Sequence, residues 1–121
     1  MTIIQQNDLI ESVRDALQFI SCYHPKDFID AVHNAWQREE SPAAKDAMSQ
    51  ILINSRMCAE GRRPICQDTG IVTVFVRIGM NVQWQGDMSV ADMINEGVRR
   101  AYTDPDNTLR ASILDDPAGA R

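Results

Sequence analysis

The chain is short of cysteine, histidine and basic charge, and each shortage closes a route to function. Its three cysteines, Cys22, Cys58 and Cys66, form an odd set with no CxxC spacing. Such a set makes neither a disulfide framework nor a self-contained zinc site. The two histidines, His24 and His33, stand too far apart for a same-face pair, and no HExxH occurs. Each reads as a polar residue at a helix start or on a helix surface. The 12 basic and 17 acidic side chains leave a formal net charge of -5. That balance argues against a general nucleic-acid or anionic-membrane surface, both of which require basic charge. No apolar run reaches the length of a membrane span. The start, Met1-Thr2-Ile3-Ile4-Gln5-Gln6-Asn7-Asp8, lacks the basic end and apolar centre of a secretory signal. A cytoplasmic protein is expected. Repeats and low-complexity tracts are missing too, so 121 residues make one domain at most, or a piece of a larger one.

What is present is helical periodicity. Leu9, Ile10, Val13, Ala16, Leu17 and Ile20 recur at helical spacing, with Asn7 as cap and Asp8 and Glu11 at the positive end. The segment 21–25 breaks this helix, and Cys22 within it reads as structural. A second helix is expected over 25–38, where Phe28, Ile29, Val32, Ala35 and Trp36 repeat the stripe. Ser41-Pro42 supplies a cap and a first-turn proline for a third helix. Gly61 is its natural stop, and Pro64 prevents resumption. Residues 71–78 read as a strand apolar on nearly both faces, hence buried. Gly79-Met80-Asn81 then turns into a short strand over 82–85, and a hairpin is the simplest connection. Ser89 with Asp92 resembles a capping arrangement for a helix over 90–102. Asp104-Pro105-Asp106-Asn107 stops it, a short extended piece follows over 109–114, and 115–121 is loop-like. The expected class is α+β: amino-terminal helices, a β-hairpin and a further helix, part of a larger domain.

The most informative stretch is Arg63-Pro64-Ile65-Cys66-Gln67-Asp68-Thr69-Gly70. It sets a cysteine between a proline and a polar turn at the mouth of the 71–78 strand. Two readings stand at this point. In one, the thiol lies on a rigid loop where metal or substrate can reach it, with Arg62 and Arg63 favouring thiolate. In the other, Cys66 is a small buried hydrophobe followed by an Asx turn, Asp68-Thr69-Gly70. Cys58, in the last turn of the third helix, reads as a packing residue, with a second metal ligand as the alternative.

This stretch resembles the cluster-binding signature of the class I (iron–sulfur) fumarate hydratases and of the related L-tartrate dehydratase α subunits. The three helices upstream, and downstream the strand pair, the helix with Gly97, Val98 and Tyr102, and Leu109-Arg110-Ala111-Ser112, are similar to that family in order and spacing. The resemblance implies a [4Fe-4S] cluster held by three cysteines, of which Cys66 would be the first. Its fourth iron, without a protein ligand, would act as a Lewis acid on the substrate hydroxyl. It also implies that Gln67 hydrogen-bonds a substrate carboxylate, that Asp68 sits beside the substrate for proton transfer, and that Arg110 pairs with a substrate carboxylate. The chemistry suits these residue types. Thiolate is a soft ligand for cluster iron. Removing a carbon-bound proton calls for a positioned base. Arginine offers a carboxylate the bidentate fork that lysine lacks.

One departure matters. In relatives the other two cluster cysteines lie beyond the point corresponding to Arg121, and Cys22 and Cys58 match neither. The chain is therefore expected to be the amino-terminal portion of a hydratase acting on a small dicarboxylate. It would need the remainder of the enzyme, on the same polypeptide or a β subunit, and be inactive alone. A homo-oligomer is expected for the whole enzyme, with no nucleic-acid or membrane partner. The alternative from another class is a non-catalytic interaction module that keeps the fold.

Overall fold

The computed structural model describes residues 1–66, 71–106 and 109. In chain order the elements are β1 (Thr2–Gln5), α1 (Gln6–Cys22), α2 (Lys26–Arg38), α3 (Pro42–Gly61), β2 (Val82–Gln85) and α4 (Val90–Thr103). The architecture is α+β with amino-terminal helices, as the patterning requires. The chain divides into two compact units. One comprises the described residues of Met1–Gln18 and Asp68–Arg121, the other Phe19–Gln67.

The first unit is organised by two strands that pair in parallel, with Thr2 opposite Val82, Ile4 opposite Trp84 and Gln5 opposite Gln85. The Gln5 and Gln85 side chains also hydrogen-bond to each other. This pairing corrects the expected hairpin. The turn at 79–81 does form, with Val82 N–H donating to the Gly79 carbonyl at 3.3 Å. It delivers β2 to the amino terminus, where Thr2 N–H donates to the Asn81 carbonyl at 2.9 Å. The chain does not fold back on 71–78. Residues 71–79 belong to no ladder among the described residues and are not buried; Ile71 and Phe75 are each 93% exposed. An apolar run without polar alternation carries nothing that specifies a pairing register.

Just past β2, Gly86 adopts φ 145°, where a side chain would be strained and a Cβ would collide with the Gln6 side chain. The Gln6 Oε1 fills that space and accepts from the Asp87 and Met88 amides at 3.1 and 3.2 Å, latching the turn to the start of α1. Asn7 does not cap α1, because the helix already begins at Gln6. Its Oδ1 instead accepts from Arg100 Nη1 at 3.2 Å. Helix α4 starts as its sequence predicts: the Ser89 hydroxyl accepts from Asp92 N–H at 3.1 Å. Its inner face buries Met93, Gly97 and Ala101. Gly97 is the point of closest approach to α1: a Cβ there would stand 2.7 Å from both the Ile10 carbonyl oxygen and Val13 Cβ. On the outer face Arg99 and Arg100 both donate to Glu96, and these bonds hold its carboxyl down to about 2.

The second unit packs α2 against α3. Ser41 caps α3, its hydroxyl accepting from Ala44 N–H at 3.4 Å, and Pro42 occupies the first turn. His24 Nδ1 and the buried Ser55 hydroxyl share a hydrogen bond at 3.0 Å, and the His24 ring stacks on Phe28 at 4.3 Å. The exposed His33 stacks near Trp36, and Lys45 lies over the Trp36 ring at 4.8 Å. His24 thus stands just before the start of α2 and His33 on its exposed surface, the positions expected of them. The end of α3 differs from expectation. Gly61 stays within the helix, and Arg62 takes the left-handed conformation at φ 51°, ψ 51°. That geometry is uncommon outside glycine and asparagine. Here it lets the Arg62 and Arg63 amides both donate to the Cys58 carbonyl.

Two outcomes follow from the first unit. Gly97→Ala drives a Cβ against the Ile10 carbonyl and Val13, forces α4 away from α1 and costs roughly 1–3 kcal/mol, read as a lower midpoint in thermal denaturation by circular dichroism. Phe75→Asp places charge on the exposed apolar run and reduces concentration-dependent self-association in light scattering, with helix content unchanged.

Candidate functional site

The candidate site begins where α3 ends. Left-handed Arg62 reverses the chain so that residues 63–66 run back beside the last turn of the helix. Pro64 has no amide hydrogen, so this pair of residues, Pro64 and Ile65, carries three backbone polar groups. All three have partners. Ile65 N–H donates to the Ser21 carbonyl at 2.8 Å, at the end of α1. The Ile65 carbonyl accepts from Asn54 Nδ2 at 2.9 Å. The Pro64 carbonyl lies 3.4 Å from the Cys58 thiol, which also stands 3.6 Å from Asn54 Oδ1.

Cys66 follows directly and is exposed. Of the two readings of the sequence, the accessible thiol on a loop is the one the structure matches. A small buried hydrophobe is not what stands there. Arg62 and Arg63 are exposed, and the Arg62 charge acts on the Cys22 thiol. Burial pushes the Cys22 thiol up from its ordinary range, Arg62 opposes this, and neighbouring Cys58 adds to it. Cys22 and Cys58 are both buried, and the Cys58 thiol is turned toward backbone and amide oxygens. Among the described residues, no group of three or more His, Cys, Asp or Glu side chains is placed to hold a metal ion. Gln67, Asp68 and Arg110, the other residues singled out in the sequence, lie outside the described residues, as do Thr69 and Gly70.

Sequence reasoning missed Asn54 and Ser21 here, and weighed Cys58 as a packing residue or a second metal ligand, not as a partner of the Pro64 carbonyl. The available signal was the spacing of Asn54 and Cys58, four apart on α3 and hence on one face.

A family model described as Fumarate hydratase (Fumerase) matches residues 10–121. The chain is 33% identical over 93 residues to a putative L(+)-tartrate dehydratase subunit alpha of Methanocaldococcus jannaschii, covering 77% of this chain and 31% of that protein. It is 29% identical over 112 residues to a putative fumarate hydratase class I of Geobacillus stearothermophilus, covering 92% of this chain and 21% of that protein. The L(+)-tartrate dehydratase subunit alpha of Escherichia coli K12 is 29% identical over 82 residues, covering 68% of this chain and 27% of that subunit. The chain thus spans about a third, or less, of the length of these relatives.

The contrast in burial among the three thiols has a direct readout. At neutral pH an alkylating reagent modifies Cys66 well before Cys22 or Cys58, as peptide mass spectrometry after a time course will show.

Proposed function

The chain belongs to the fumarate hydratase family, and from that membership we propose that it is the amino-terminal portion of an iron–sulfur hydro-lyase interconverting fumarate and malate. The observation that carries this reading is the exposed Cys66 thiol, held at the end of a backbone-tied segment and opening the Cys66-Gln67-Asp68-Thr69-Gly70 motif. An exposed thiol is a fitting single ligand for cluster iron, being soft, anionic when deprotonated and reachable. Cys22 and Cys58 are poor co-ligands, since both are buried in helix packing. The remaining ligands would therefore come from polypeptide outside this chain. Bound there, a [4Fe-4S] cluster would supply Lewis-acid polarisation of the substrate hydroxyl.

This chain's own residues would do the rest of the work assigned to it. Gln67 would hydrogen-bond one carboxylate of the dicarboxylate, and Arg110 would pair with a carboxylate through its fork. Asp68 would take or return the proton on the adjacent carbon. With one cluster ligand in 121 residues, the isolated chain is inactive in this reading, and its working partner is the rest of the hydratase. A cytoplasmic setting accords with the acidic charge and with the finding that no helix among the described residues is long and apolar enough to cross a membrane.

A second reading, an L-tartrate dehydratase α subunit, is favoured by the two relatives that carry that name at 33% and 29% identity. Both readings use the same site and differ in the substrate.

Anaerobic iron–sulfide reconstitution of the complete gene product, with and without Cys66→Ala, tests the proposal. The expected result is loss of cluster absorbance, bound iron and dicarboxylate turnover in the variant. Unchanged iron content in Cys66→Ala would remove this residue from the ligand set. Parallel assays of fumarate hydration and L-tartrate dehydration separate the two substrates.

A further inference from the structure

We infer that Asn54 and Cys58 are positioning residues: one turn apart on α3, they clamp the backbone that presents Cys66. The inference rests on the reading of Cys66 as a ligand only for its functional meaning; the clamp itself stands on geometry. A loop following a left-handed cap has no secondary structure to hold it. Its backbone groups either bond to water and move, or find fixed partners. Here each polar group of Pro64 and Ile65 has a partner, two of them provided by side chains of α3 and one by the end of α1.

The side chains suit their tasks. Asn54 uses its amide hydrogen to hold the Ile65 carbonyl, while its Oδ1 lies near the Cys58 thiol. The Ile65 carbonyl itself orients the amide, because a flipped side chain would set an oxygen against it. Cys58, buried and weakly polar, reaches the Pro64 carbonyl without bringing a charge into the helix packing. The clamp ends one residue short of Cys66. That thiol therefore sits on a fixed stem while its own side chain remains accessible, which is the arrangement a ligand to an inorganic group requires.

The test is hydrogen exchange at single-residue resolution in the full chain. Asn54→Ala should accelerate exchange of the Ile65 amide by about fivefold or more, the effect of one lost restraint on local opening. Amides in the middle of α3 should exchange as before. Asn54→Asp, which keeps the shape but lacks the amide donor, should give the same local acceleration; it also serves if the alanine variant folds poorly. Unchanged Ile65 exchange in both variants would overturn the clamp, as would acceleration shared equally by all of α3. A second readout is the rate at which a chelator strips iron from the reconstituted complete protein, expected to rise in Asn54→Asp. If Cys66→Ala leaves bound iron unchanged while Asn54→Asp still loosens Ile65, the ligand assignment fails and the clamp stands.

Discussion

What happens between Arg62 and Cys66 is decided by the need of three backbone groups for partners. A helix end leaves carbonyls without intrahelical bonds, and a proline two residues later removes one donor from the segment that follows. Arg62 accepts an unfavourable backbone geometry, and in return the Arg62 and Arg63 amides satisfy the Cys58 carbonyl. The reversed chain then meets side chains already fixed by α3. A left-handed turn at one residue thus lays the chain back against the helix it leaves, with its backbone groups bonded and an exposed thiol next in line.

The other unit follows a comparable logic with glycine in place of strained arginine. Gly97 removes the Cβ that would otherwise hold α4 away from α1, and Gly86 adopts a backbone angle that lets Gln6 grip the turn behind β2. In both units a residue chosen for its backbone conformation or its lack of bulk governs the neighbours that carry side-chain chemistry. Substitution at such positions acts on the fold first and on the site through it.

The helices were legible because their stripes repeat every three to four residues and their caps are local: Ser41-Pro42 and Ser89 mark starts that the structure places where the sequence does. The strand partner was not. Val82 pairs with Thr2, and nothing near either residue announces the other across so much chain. The apolar stretch after the motif looked like a buried strand because hydrophobicity signals a wish for burial without naming what provides it. Arg62 went unread since glycine one position earlier offered the more familiar stop. At the site, the exposed thiol was an open alternative from its neighbours alone. Gln67, Asp68 and Arg110 were identified through family likeness, and their geometry lies outside the described residues.

The parallel pairing of β1 with β2 has a consequence for synthesis. Thr2 and its neighbours leave the ribosome before the strand they bond to, which is encoded 80 residues later, from Val82 onward. At roughly 5–20 residues per second, the first strand waits on the order of 4–16 s for its mate. The helices α1 to α3 emerge whole during that interval and can form from local contacts. Nascent chains arrested before Val82 should therefore be rich in helix while their amino terminus still awaits its sheet.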